Sequence, residues 1–312
     1  MNPVINPTGQ EFNCPDEVKA EIDLSIIIVN YKADEFLRDC LDSVYAHNTH
    51  LKLETWLVNN SPKEDIKNWI NKIFPQVKLI ENKSNIGFSR ATNQGIRKSS
   101  GRYLLLLNPD TKILAGNLEE LINFMEENPQ TGICGPKMVD EKGRLQYSCR
   151  TFPDYFTSFS SSQSLLNRIF PQNLLSKRYL LKDMNHSQIS EVDWVSGSCL
   201  LARRKIMEEI DLLDERFFMF CEDVDLCLRA KKAGWKVFYF PYLSVIHKIG
   251  GSTSHNPLRA KLLHHRSMYY FFKKHYKPNP LLRFLVFSGI IFRLIFLPFI
   301  HFLPGTSGKI KT

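Results

Sequence analysis

Three acids crowd into four positions of Phe217-Phe218-Met219-Phe220-Cys221-Glu222-Asp223-Val224-Asp225-Leu226. Carboxyls this close raise one another's pKa, and one beside an apolar wall can be left suited to take a proton. On a helix Glu222 and Asp225 share one face, with Asp223 pointing elsewhere. The plainer reading is acidic capping of a helix N-terminus. Asn108-Pro109-Asp110 follows the apolar run Tyr103–Leu107, so Asp110 could hold Mg²⁺ or Mn²⁺ against a diphosphate, or simply start a turn. His247, ahead of Gly250-Gly251-Ser252, is either a structural histidine or a metal ligand beside a phosphate loop. Asn85-Ile86-Gly87-Phe88-Ser89-Arg90-Ala91-Thr92-Asn93-Gln94-Gly95 lacks the Gly-x-Gly-x-x-Gly spacing. The first strand runs into Asn30-Tyr31-Lys32 with no glycine, which disfavours a dinucleotide-binding oxidoreductase.

The elements that must position these residues alternate. Leu24–Val29 is an almost continuous apolar, β-branched run, as in a strand buried on both faces. A helix follows at 34–44, with Leu37, Cys40, Leu41 and Val44 at helical spacing. The pattern continues through strand 53–58, helix 64–74, strand 77–81, helix 88–98, strand 102–107 and helix 117–127. Further on come Trp194–Ala202, a helix near 203–209, one opened by Glu222, and strand 236–240. Such alternation predicts an α/β fold, a mostly parallel sheet with helices on both faces and ligands at the carboxyl ends of its strands. Between about 150 and 190 the pattern weakens, and the polar stretch 157–164 reads as a loop or acceptor-facing insert. No internal repeat is visible.

The chain has 312 residues and a net charge of +9, which suits a phosphate-bearing partner. A nucleic-acid binder is disfavoured, because no single element interleaves basic and aromatic residues. Seven scattered cysteines without a Cys-x-x-Cys pair read as reduced, mostly buried thiols. The polar N-terminus has no secretory pattern, which leads us to expect a cytoplasmic protein. Leu281–Leu303 is apolar, preceded by Arg266, Lys273, Lys274 and Lys277 and interrupted by Arg283, Arg293 and Pro298. An arginine at a bilayer centre costs about 2.5–3.5 kcal/mol. An interfacial amphipathic or hydrophobic helix therefore fits better than a spanning one or a packed, oligomer-forming segment.

Taken in order, these segments resemble the family 2 inverting glycosyltransferases, especially the rhamnosyltransferase-like branch. The resemblance runs from Ser25 to about Ser252. It rests on Val29-Asn30-Tyr31, Val58-Asn59-Asn60-Ser61, the Asn85–Gly95 segment, Asn108-Pro109-Asp110, Val195-Ser196-Gly197-Ser198, Asp214-Glu215-Arg216-Phe217-Phe218, Glu222–Leu226 and His247. It implies a GT-A fold over 23–256, with a nucleotide-binding half at about 23–136 and an acceptor half at about 137–256. A loose arm (1–22) precedes that domain and a membrane-associating tail (257–312) follows it. It further implies Asp110 and His247 as ligands of Mg²⁺ or Mn²⁺ and Asp223, with Glu222 beside it, as the catalytic base. Asn30, Tyr31, Asn59, Asn60, Gly87, Arg90, Asn93, Asn108, Asp110 and Gly197 would surround the nucleotide sugar. The implied reaction moves a sugar, L-rhamnose from dTDP-rhamnose, to a glycan or lipid-linked acceptor in cell-surface polysaccharide synthesis at the cytoplasmic membrane face. The oligomeric state is left open. A catalytically silent scaffold or sugar-nucleotide-binding protein of the same fold is the alternative. One departure is Val58-Asn59-Asn60, where the family usually has Val-Asp-Asn. Asparagine keeps the hydrogen bonds and loses the charge.

Overall fold

The apolar run forms β1 (Leu24–Asn30), buried along its whole length, and such a strand needs cover on both faces. In the computed structural model, which describes residues 22–46, 50–62, 65–154, 173–248 and 256–301, that cover comes from alternating side chains. Leu24, Ile26 and Ile28 pack on one face with Leu37 and Leu41 of α1 (Asp34–Ala46) and Leu118 of α4 (Leu118–Glu127). Ile27 faces the other way, toward Ile96 of α3 (Phe88–Lys98) and Val224 and Leu226 of α7 (Glu222–Lys232). The two-residue period of the strand thus builds two core layers.

The strands β1, β2 (Leu53–Asn59), β3 (Val77–Glu81) and β4 (Tyr103–Leu107) pair in parallel in the order β3-β2-β1-β4. Beyond β4 the sheet is mixed. Strand β11 (Cys199–Arg203) runs antiparallel to both β4 and β6 (Thr131–Val139). Strand β12 (Lys236–His247) lies parallel to β6 and antiparallel to β5 (Thr111–Ala115). One sheet is therefore shared by the two halves of the chain, with β11 as the joint. Strands β5 and β6 are additions to the sequence reading: Gly132, Gly135 and Pro136 lie within β6 and weaken its strand signal. Strand β12 runs past the expected residue 240 through Pro241, and its register against β6 shifts between Phe240 and Ser244. Such irregularities are where proline is tolerated in a sheet.

The basic stretch near the C-terminus is α8 (Pro257–Tyr276), which buries Phe271 in the second core layer. It leads into α9 (Pro280–His301), which exposes Leu281, Phe284, Leu285, Phe287, Ile291 and Phe292. Among the described residues no helix is long and apolar enough to cross a membrane. Six cysteines are free and buried. Burial pushes the Cys40 thiol up to about 12, which makes it inert. Cys14, residues 1–21, the polar stretch 157–164, residues 250–252 and residues 302–312 lie outside the described residues.

Candidate active site

The carboxyl ends of β1, β2 and β4 bring Asn30, Asn59, Asn60 and Asn108–Asp110 to one edge of the sheet. Asn30 is fully buried, and its Nδ2 donates to Asp34 Oδ1 (2.6 Å) and to Asn59 Oδ1 (3.5 Å). Asn59 Oδ1 also accepts the Ser61 N–H at 3.2 Å. An aspartate oxygen would accept the same bonds, so asparagine preserves the turn and removes only its charge. Tyr31 is half-buried just beyond β1. Asn60 serves the neighbouring loop: its Oδ1 accepts from Ile86 N–H (3.1 Å) and Asn82 Nδ2 (3.2 Å), and its Nδ2 donates to Asn85 Oδ1 (3.0 Å).

That loop leads to Gly87, whose φ of +92° suits glycine and where a Cβ would come within 2.8 Å of the Phe218 ring. Arg90 and Asn93, expected beside a nucleotide, turn instead to the 213–215 loop. Asn93 is buried; its Nδ2 donates to Leu213 O (2.8 Å) and Glu215 Oε1 (3.1 Å), and its Oδ1 accepts the Leu213 N–H. Arg90 and Arg97 both pair with Glu215 at 3.1 Å. In this geometry both residues fasten α3 to the segment that carries the acids.

A second chain of contacts links the two halves. The Asn108 N–H donates to Ser198 O (2.9 Å) and its Nδ2 to Ser198 Oγ (3.3 Å). Next to it, Gly197 N–H donates to Asp223 Oδ2 at 2.9 Å. The turn 196–198 therefore bridges the end of β4 to the start of α7.

Entry into α7 is strained. Phe220 and Cys221 have φ of 70° and 63°, and consecutive left-handed non-glycine residues cost about 1–3 kcal/mol each, a feature that clusters at functional sites. The three acids then part company. Asp225 is fully buried and receives Arg229 Nε (2.7 Å), Lys274 Nζ (2.6 Å) and His275 Nε2 (2.7 Å), so it fastens α8 to α7. Burial would raise its pKa, but these partners hold it below the ordinary value. Glu222 is buried, and its Oε2 has no hydrogen-bond partner among the described residues. Burial and the neighbouring Asp223 charge push its pKa well above the ordinary carboxylate value. Asp223 is only half-buried. Burial raises its pKa as well, while the Gly197 and Val224 N–H groups and the nearby Arg150 charge favour its ionised form. The outcome is a half-buried carboxyl whose ionised form is hydrogen-bonded, beside a buried one whose charged form is disfavoured, a good arrangement for a general base.

Arg150 and Gln146 escape sequence reasoning. Arg150, held 5.2 Å from the Trp194 ring and 5.6 Å from that of Tyr179, lies on the two-residue strand β8 (Cys149–Arg150), which pairs with β10 (Trp194–Val195). Gln146 ends β7 (Leu145–Gln146), another two-residue strand. Such short strands carry no periodicity.

At the end of β12, His247 Nε2 lies 3.6 Å from Asp110 Oδ1. Gln146 Nε2 donates to the His247 carbonyl (2.8 Å), which turns its Oε1 to His247 Nδ1 at 3.2 Å. That assigns the proton to Nδ1 and directs the lone pair of Nε2 at Asp110. Burial pushes the His247 pKa down, with Asp110 opposing, which keeps the ring neutral. A neutral imidazole nitrogen facing a carboxylate oxygen fits a divalent cation. Among the described residues no group of three or more His, Cys, Asp or Glu is placed to hold a metal ion.

Known proteins share the sequence pattern and the fold. The sequence profile of Glycosyl transferase family 2 matches residues 25–211. The chain is 29% identical, over 80% of its own length and 83% of the relative's, to an N-acetylglucosaminyl-diphospho-decaprenol L-rhamnosyltransferase of Mycobacterium tuberculosis. It is 27% identical to Rhamnosyltransferase WbbL of Escherichia coli K12, over 71% of this chain and 82% of that protein. Among solved structures it resembles GalNAc-T7 with UDP, GalNAc and Mn²⁺ (TM-score 0.55, 16% identity, 72% of this chain and 44% of that one). It also resembles a mannosyltransferase of Pyrobaculum calidifontis in complex with GDP-Man and Mn²⁺ (TM-score 0.54, 14% identity, 88% and 72%). At those identities the likeness speaks to the fold, which is GT-A. With more than half of its length inside the family's profile, the chain belongs to glycosyl transferase family 2.

Proposed function

We propose that the protein is an inverting glycosyltransferase that moves L-rhamnose from dTDP-rhamnose to a hydroxyl of a lipid-linked glycan acceptor in cell-surface polysaccharide synthesis. The observation that carries this reading is Asp223, half-buried beside buried Glu222 and joined through Gly197, Ser198 and Asn108 to the Asp110–His247 pair. The names of the relatives support rhamnose as the sugar.

In the reaction Asp223 takes the proton of the acceptor hydroxyl as that oxygen bonds to the anomeric carbon. The bond from that carbon to the donor phosphate oxygen breaks, and its electron pair leaves with the nucleoside diphosphate. General-base action of this kind contributes about 10²–10⁴-fold. Asp110 and His247 would hold Mg²⁺ or Mn²⁺, which when bound supplies positive charge to the leaving diphosphate. Tyr31, half-buried beyond β1, offers its ring to the nucleotide base, and Asn30, Asn59 and Asn60 shape the turns around it. Arg90, Asn93 and Gly87 support the donor side by holding α3 against the 213–218 segment.

The exposed apolar face of α9 and the basic residues of α8 suit peripheral or monotopic docking on the cytoplasmic, anionic face of a membrane. Calorimetric titration of dTDP, UDP and GDP, with and without Mn²⁺, tests the donor side. We expect Mn²⁺-dependent binding of dTDP that Asp110→Asn abolishes. If no nucleotide binds, the silent scaffold becomes the better reading; if Asp110→Asn binds as well as wild type, Asp110 loses its role.

A further inference from the structure

The net positive charge of this chain sits in its last 56 residues. Residues 257–312 contain ten Lys and Arg and no Asp or Glu, whereas the 256 residues before them carry 31 against 32, a net charge of −1. Where that basic segment meets the acid-bearing segment there is a cavity of about 130 Å³, lined by Arg216, Phe218, Leu263, Arg266, Ser267 and Tyr270. Among the described residues its wall has two arginines and no carboxylate.

Arg216 is held in place: its Nε and Nη2 each donate to Asp214 at 2.8 Å, and its guanidinium lies 5.1 Å from the Tyr270 ring. Asp214 also receives Lys274 Nζ (2.8 Å) and Tyr270 OH (3.1 Å), so its one negative charge is outnumbered. Arg259 adds a third guanidinium over the Phe218 ring at 5.9 Å. Arg266 is exposed and has no ion-pair partner among the described residues. Arginines converging on an apolar floor suit a phosphate attached to an apolar chain better than a free sugar.

Two neighbours identify that ligand further. On one side, Phe218 and Asp223 belong to one continuous segment, and five residues span at most about 18 Å, so a phosphate in the cavity lies within reach of the base. Ser267 Oγ fixes this segment to α8 by donating to Met219 O at 2.7 Å. On the other side, Tyr269 meets Phe287 of α9 with ring centroids 5.8 Å apart, which sets the exposed apolar face of α9 beside α8.

We propose that the Arg216–Arg266 cavity binds the phosphate of a lipid-linked acceptor, holding its sugar toward Asp223 while its lipid chain follows α9. The inference rests on the lipid-linked acceptor of the proposed function and adds the site that recognises it.

The test is titration of full-length protein with farnesyl diphosphate, farnesol, inorganic pyrophosphate and phosphatidylglycerol vesicles, each for wild type and Arg266→Gln. Losing one charged hydrogen-bonding partner should weaken farnesyl diphosphate binding about tenfold or more, with dTDP affinity unchanged as a check on folding and on the donor site. Arg216→Gln, judged by the same dTDP check, should act likewise. Equal farnesyl diphosphate affinity in wild type and Arg266→Gln, or none in wild type, would overturn the site and leave the donor reading intact. Pyrophosphate binding as tight as farnesyl diphosphate would make this a general anion pocket and overturn the lipid assignment. So would an Arg266 effect confined to the vesicles, which would point to membrane headgroups. Arg266-dependent farnesyl diphosphate binding by a protein that bound no nucleotide would keep the site and overturn the transferase.

Discussion

Replacing Gly197 with alanine reaches the base without removing it. The new Cβ would stand 3.2 Å from Asp223 Cβ and 3.6 Å from its Oδ2, whereas carbon atoms in contact prefer about 3.5–4.0 Å. Asp223 must therefore retreat by roughly 0.5 Å if the turn 196–198 stays in place, as its bonds to Asn108 require. A 1 Å misplacement can cost about 10²-fold in rate, so roughly half of that displacement should lower kcat about tenfold. The turns at Asn30 and Asn59 are untouched, so the loss should fall on kcat more than on KM for the donor. The retreat also stretches the 2.9 Å bond from Gly197 N–H, which favours ionised Asp223. Its pKa, already raised by burial, should rise further and carry the acid limb of the pH–rate profile to higher pH. Initial rates of rhamnose transfer across acid and neutral pH read both effects. Unchanged kcat, or a rise in donor KM at constant kcat with an unmoved acid limb, would refute the reasoning.

Glu54 accepts Ser25 Oγ, Ser100 N–H, Trp56 Nε1 and Lys78 Nζ at 2.6–2.9 Å. Burial would raise its pKa, yet these partners hold it at about 2 against an ordinary 4.5. A depressed carboxylate stabilises the fold above its unfolded pKa, so Glu54→Gln should cost about 3 kcal/mol at neutral pH. In urea titrations that difference should vanish as pH falls from 4.5 toward 2; a loss independent of pH would contradict it. Gln146→Leu removes the partner that orients His247, and the Mn²⁺ concentration needed for dTDP binding should rise about 10–100-fold; an unshifted requirement would remove Gln146 from the metal site. Deleting residues 281–312 should abolish sedimentation with phosphatidylglycerol vesicles and spare dTDP binding. Persistent association would take α9 out of membrane docking.

Much of the fold was legible because its signals are local. The β-branched run of β1, the 3.6-residue spacing of Leu37, Cys40, Leu41 and Val44, and the bounds of β3 and α3 all follow from neighbours in sequence. The second half was less so, since glycines and a proline mask β6 and Pro241 breaks the apparent end of β12. Asp110, Asp223 and His247 could be suspected because each follows or opens a recognisable element. What sequence cannot display is the competition for a side chain. Asn93 and Arg90 look like free polar groups until Glu215, more than 120 residues away, takes both. Glu222 and Asp225 look alike until one has an oxygen, Oε2, without a hydrogen-bond partner among the described residues and the other is met by two helices.

The most direct test of Asp223 as the base is to measure rhamnose transfer and dTDP affinity on the same preparations of wild type and Asp223→Asn. Asparagine keeps the size of the side chain and cannot take a proton, so transfer should fall about 10²–10⁴-fold while dTDP affinity holds. Near-wild-type turnover in Asp223→Asn would contradict the mechanism outright.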